Sequence, residues 1–187
     1  MAEKYQNKYR IPSARLPGWD YGQNAAYFVT ICTKNRECFF GEIVDTQMQL
    51  SAIGKIAETE WLKTPGIRPD MKLELGEFVV MPNHLHGIII IGENEFNTQR
   101  DDDERRDAMH CVSTETTNTF GPQPKNLASI IRGYKSAVKK YASMNSINFA
   151  WQPRFHDHII RDNQSYQNIS NYIINNPVNW KTDEWNR

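Results

Sequence analysis

The run Pro82-Asn83-His84-Leu85-His86-Gly87-Ile88-Ile89-Ile90-Ile91 decides how this chain of 187 residues is read. Four consecutive isoleucines, β-branched and apolar, predict a strand buried on both faces in a sheet sandwiched between layers. Met81-Pro82-Asn83 is a turn signal, so Met71–Val80 is expected as a second strand joined to His84–Ile91. Side chains alternate along a strand, so residues two apart share a face. On that reading His84 and His86 aim both imidazoles one way, while Leu85 and Ile88 face the other. Two imidazoles so spaced can grip one divalent metal and leave its remaining positions to phosphate oxygens and water. An H-x-H pair is a weak signal on its own, and His156-Asp157-His158 repeats the spacing. The first pair opens a long apolar run, which suits a partly dry metal site. The second flanks an aspartate beside polar turn residues, which suits a loop edge.

Outward from this strand the pattern alternates between sheet and helix. Tyr27–Cys32 reads as a buried strand and Cys38–Val44 as a short second one. Ser51–Lys63 has helical periodicity in Ile53, Ile56, Ala57, Glu60 and Trp61, with Ser51 as cap. Asn126–Tyr141 reads as a basic amphipathic helix, Phe155–Ile160 as a last strand, and Asn163–Asn176 as a last helix stopped by Pro177. Strand–turn–strand pairs without βαβ repeats indicate an α+β layer, helices on one face of an antiparallel sheet. Residues 1–26 read as an irregular basic arm, 27–180 as a single domain, and 181–187 as a tail. The polar stretch 92–124 is expected to be a mobile loop or an insertion.

Composition excludes several classes. The apolar runs are too short for a membrane span, and Met1–Pro12 has no apolar signal region. Cys32, Cys38 and Cys111 form an odd set without CxxC spacing, which fits a reducing, cytoplasmic setting. No Gly-rich phosphate loop, zinc-finger spacing or GxSxG elbow occurs. The net charge is zero, but no acid stands between Glu115 and Asp157, where Lys125, Arg132, Lys135, Lys139, Lys140 and Arg154 are found. Acids gather instead in Glu93–Asp107. A basic surface for phosphates is thus available, and a separate acidic segment cancels it only in the sum.

The run PNHLHGIIII resembles the HUH motif (His, bulky hydrophobe, His) of single-tyrosine transposases. RLPGWDY, AYFVTICTKNRECFFGEI, IIRGYKSAV, WQPRFHDHIIRD and YIINNP resemble, in order and spacing, the REP-associated tyrosine transposases over most of the chain outside 92–124. The resemblance implies a ferredoxin-like antiparallel sheet with helices packed against it, the HUH endonuclease fold. It implies a metal-dependent enzyme that cleaves and rejoins single-stranded DNA at palindromic hairpins through a 5′-phosphotyrosine. The alternative is a catalytically inactive hairpin-binding protein.

The resemblance puts the nucleophile on the helix after the last strand, at Tyr166 or Tyr172, and the YIINNP match selects Tyr172. Steps of about 100° per residue set Tyr166, Ile169, Ile173 and Ile174 in one apolar stripe. Tyr172 and Asn176 stand four apart on its flank, where Asn176 can be the third metal ligand. The expected site is His84, His86 and Asn176 around Mg²⁺ or Mn²⁺, serving Tyr172. Arg132, Lys135, Lys139 and Lys140, with Arg10 and Arg15 in the arm, are the expected DNA contacts. Trp151, Phe155 and Tyr21 are further candidates for stacking on bases, with the core as the equal alternative for each. His158 and Arg161 are candidates for supporting the site. A monomer suffices if the Tyr172 helix packs on its own sheet, and a homodimer is needed if it swaps.

Overall fold

The computed structural model describes residues 4–5, 8–9, 15–16, 18–98, 124–183 and 185–186. Arg10 and most of the polar 92–124 stretch lie outside the described residues. Two short strands, β1 (Lys4–Tyr5) and β2 (Lys8–Tyr9), pair near the N-terminus. The chain then forms β3 (Ala25–Cys32), the hairpin β4 (Gly41–Val44) and β5 (Gln47–Leu50), and α1 (Ala52–Ile67). It continues through β6 (Leu73–Met81), β7 (His84–Ile91), α2 (Leu127–Met144), β8 (His156–Ile160) and α3 (Asn163–Asn179).

The central sheet has four antiparallel strands in the order β6-β7-β3-β8. Helices cover both of its faces, so the expectation of helices on one face is corrected, as the two-sided burial of β7 requires. Leu85, Ile89 and Ile91 join Trp61 of α1 and Ile130, Tyr134 and Val138 of α2 in the larger core. Ile88 joins Ile160 and Ile173 of α3 in a second core on the opposite face. Strand alternation puts Ile88 on the histidine face, not with Leu85. Gly87 keeps the first layer tight: a Cβ there would meet the Trp61 ring at 2.4 Å.

Local signals behave as their chemistry dictates. Ser51 caps α1, accepting from Gly54 N at 3.1 Å, and Asn126 caps α2 through a reciprocal pair with Ser129. Two expectations on α3 are corrected. Pro177 does not end the helix, because it lies in the last turn, where its missing N–H costs one ladder bond and the turn still closes. Ile174 is 57% exposed. The inward line is Tyr166, Ile169, Ile173 and Asn176, spaced three, four and three, so Asn176 ends the buried stripe and Tyr172 stands at its edge. No helix among the described residues is long and apolar enough to cross a membrane.

Candidate metal and tyrosine site

The register of the sheet assembles the site. Cys32 lies opposite His84 and Thr30 opposite His86, while β8 sets His156 opposite Thr30 and His158 opposite Phe28. The second H-x-H pair is therefore not a loop edge. It lies on the same sheet face as the first, two strands away, and both of its histidines are exposed.

His84 and His86 are 0% and 1% exposed. Asn83 fixes the tautomer of His84. Its Nδ2 donates to the carbonyls of Arg36 (3.2 Å) and Trp185 (2.9 Å), so its Oδ1 is an acceptor and takes the Nδ1–H of His84 at 2.7 Å. The Nε2 lone pair of His84 is then left facing inward, buried and with no partner among the described residues. Thr30 Oγ1 holds His86 Nδ1 at 2.8 Å, and His86 Nε2 lies 3.2 Å from the Tyr172 hydroxyl. Burial pushes His86 down to about 3. Burial, then His86 and Arg36, hold His84 well below the ordinary histidine range. Both rings are neutral at physiological pH and can ligate metal.

The third residue of this cluster is Asp183, in the stretch expected to be a tail. One ligand atom each from His84, His86 and Asp183 lie within 4.8 Å of one another. Asn176, 1% exposed, donates Nδ2 to Asp183 Oδ2 at 2.9 Å, and its Oδ1 is buried without a partner among the described residues. Two orphaned buried acceptors and a carboxylate beside a third acceptor form a donor set that fits a divalent cation. The site expected to be uncharged thus carries a carboxylate. Asp183 is seven residues beyond Asn176, past the end of the helical period, and no sequence pattern pointed to it.

Tyr172 itself is 43% exposed and meets Phe28 edge-on, with ring centroids 6.2 Å apart. Tyr166 packs with Ile88, Ile160 and Ile173, as its place in the stripe foretold. The cavity beside Tyr172 measures about 350 Å³ and is lined also by Asn176, Asn179, Thr182 and Asp183.

The basic residues are divided. Lys135 donates to the carbonyls of Gln152 (2.6 Å) and Arg154 (2.8 Å), and Lys139 donates to that of Phe149. Both tie α2 to the segment before β8, and burial pushes Lys135 down to about 8. Arg132 and Lys140 are exposed, but α2 packs on the sheet face opposite Tyr172. Arg15, His158 and Arg161 instead share one cleft of about 600 Å³ with Tyr21 and Asp157. The Arg15 guanidinium there lies 5.3 Å from the ring centres of both Tyr21 and Phe155. Trp151 packs on Phe40, Phe149 and Tyr134 and donates Nε1 to Lys135 O, so it belongs to the core.

No family model matches the chain. A solved REP-associated tyrosine transposase bound to a REP hairpin has the same fold: TM-score 0.53, 21% identity, 95% of this chain and 74% of that one covered. The four-stranded antiparallel sheet with helices packed on it is thus the fold of that solved structure. An uncharacterized protein of Haemophilus influenzae is 40% identical over 173 residues, 92% of this chain and 91% of that protein. The REP-associated tyrosine transposase of Escherichia coli is 23% identical over 160 residues, 84% of this chain and 69% of that protein. The chain belongs to one family with the Haemophilus protein and is similar in sequence to the Escherichia coli REP-associated tyrosine transposase.

Proposed function

We propose that this chain cleaves and rejoins single-stranded DNA at palindromic hairpins, with Tyr172 as the nucleophile. The observation that carries this reading is the 3.2 Å approach of the Tyr172 hydroxyl to His86 Nε2, beside a His84 Nε2 without a partner among the described residues. A free phenol has a pKa of about 10 and is a poor nucleophile at neutral pH, so it needs such a neighbourhood. His84, His86 and Asp183, with Asn176 completing the set, would hold Mg²⁺ or Mn²⁺. A cation bound there supplies positive charge to the scissile phosphate.

The chain's own side chains do the rest. Asn83 and Thr30 hold the imidazoles in one tautomer and orientation. The α3 backbone and Phe28 aim the Tyr172 hydroxyl. The Tyr172 Oη–P bond forms as the P–O3′ bond breaks, the phenolic proton passes to solvent, and the leaving oxygen takes one up. Attack by a 3′-hydroxyl on the 5′-phosphotyrosine reverses the step and joins strands. Arg15, His158 and Arg161 in their cleft, with Arg132 and Lys140, are the proposed DNA contacts, at phosphates above all. The packing of α3 against β6 and β7 within the chain supports a site supplied by one protomer, with His84, His86 and Tyr172 together.

The test is to incubate the protein with Mn²⁺ and single-stranded palindromic oligonucleotides and to look for a covalent adduct on a denaturing gel. An adduct lost in Tyr172→Phe supports the reading. Hairpin binding without an adduct makes the chain a binding protein, and an adduct that maps to another tyrosine overturns the assignment.

A further inference from the structure

We infer that Arg36 is a catalytic residue, its guanidinium gripping a non-bridging oxygen of the scissile phosphate while Tyr172 attacks; this rests on the reading of Tyr172 above. The path of the chain brings Arg36 to the site. Cys32, at the end of β3, lies opposite His84, and the turn carrying Arg36 follows at once. Thr33 anchors that turn, donating both its N–H and its hydroxyl to the Asn83 carbonyl at 2.9 Å.

The same Asn83 side chain that sets the tautomer of His84 also donates to the Arg36 carbonyl at 3.2 Å. One amide thereby holds a metal-site histidine and the arginine turn together. Asn35 and Arg36 both adopt left-handed backbone, at φ 55° and 56°, which side-chain-bearing residues disfavour. Held in that conformation, Arg36 is half-buried, with its guanidinium 4.9 Å from the centre of the Trp185 ring. That ring is 5.7 Å from His84 and 6.1 Å from His86.

Charge balance says what this cation is for. Two neutral imidazoles, an amide and one carboxylate leave a bound divalent ion with a single net positive charge. A phosphodiester is a monoanion, but it gathers further negative charge as the phenolate approaches. A second fixed cation at the rim matches that increment, and the guanidinium fork fits two phosphate oxygens. Interactions that grow in the transition state are the ones that accelerate the step. Arg36 forms no covalent bond in the step: the Tyr172 Oη–P bond forms as the P–O3′ bond breaks, with the proton transfers given above.

Arg36→Gln leaves a planar group against Trp185 without the charge, and Arg36→Lys keeps the charge without the fork. Two quantities are measured for each: affinity for inorganic phosphate with Mn²⁺ present, from ³¹P NMR broadening, and the single-turnover rate of adduct formation with a palindromic oligonucleotide. The expected result is a roughly tenfold loss of phosphate affinity and a roughly 100-fold slower adduct in Arg36→Gln, with Arg36→Lys between and melting temperatures unchanged. Equal phosphate affinity in native protein and Arg36→Gln overturns the inference. So does a lowered melting temperature with phosphate affinity retained, which makes Arg36 only a prop for Trp185. If the native protein gives no adduct while Arg36→Gln still weakens phosphate binding, the anion role stands and the reading of Tyr172 is what fails.

Discussion

Tyr172 Oη and His86 Nε2, eighty-six residues apart in the chain, stand 3.2 Å apart in the fold. The contact joins the helix after the last strand to the second strand of the central hairpin. Because Tyr172 is 43% exposed, its ring adds little to the core. Tyr172→Phe is expected to abolish the DNA adduct while lowering stability by no more than about 1–3 kcal/mol, the cost of leaving the buried His86 Nε2 without that partner. Urea unfolding beside the adduct gel checks both halves, and a large loss of stability would make the residue structural.

The carboxylate of Asp183 separates two versions of the metal site. Asp183→Ala is expected to weaken Mn²⁺ binding, followed by calorimetry, by at least the 10- to 100-fold that orienting residues typically contribute. Asn83→Ala, which frees His84 to rotate, should fall within that range. If Asp183→Ala binds Mn²⁺ like the native chain and Asn176→Ala does not, the ligand set is His84, His86 and Asn176 alone.

The buried imidazoles set the acid limb of stability in the metal-free protein. His86 is lowered to about 3 and His84 is also lowered well below its ordinary value. Between pH 6.5 and about 3 the unfolded chain binds protons that the folded chain refuses, so stability rises with pH there and is lost as pH falls. Each such imidazole contributes a slope of up to about 1.4 kcal/mol per pH unit. Urea midpoints between pH 7 and pH 4, compared with His84→Gln, measure it. A flat native profile would mean that neither histidine is held neutral.

Gly87 is expected to tolerate no side chain. The Cβ of Gly87→Ala would meet the Trp61 ring at 2.4 Å and the Phe78 Cβ at 3.1 Å, on the face away from the histidines. Overpacking of this kind costs roughly 1–3 kcal/mol. The measurement is urea stability with Mn²⁺ affinity beside it. Lost affinity at unchanged stability would contradict the packing role.

Lys135 and Lys140 of α2 are expected to part company in the same way. Lys135→Ala leaves the Gln152 and Arg154 carbonyls without their donor and should lower stability by roughly 1–3 kcal/mol. Lys140→Ala, at an exposed position, should leave stability unchanged. A DNA-affinity loss in Lys135→Ala without loss of stability would restore it to the DNA surface.

Local sequence determined much of this protein. Four isoleucines after the H-L-H run specify a strand buried on both sides, and Pro82-Asn83 specifies the turn before it. The caps Ser51 and Asn126 mark their helices within a few residues. Strand alternation alone aims His84 and His86 together, and the three-four-three spacing from Tyr166 to Asn176 turns one line of α3 inward. These features are legible because steric preference, alternation and helical period act between residues close in sequence, although that period set Ile174 in the stripe where the fold turns Asn176 inward. What brings Tyr172 to His86, Asp183 to the histidines and Asn83 to Arg36 is the stacking of α3, the C-terminal stretch and the β3–β4 turn against one end of the sheet. Those contacts span dozens of residues and have no period to read. They also sorted the lysines of α2, two of which serve the chain's own carbonyls, a role that charge counting cannot distinguish from a DNA surface. The tertiary structure decided these matters because a buried polar group must find its partner wherever the fold supplies one.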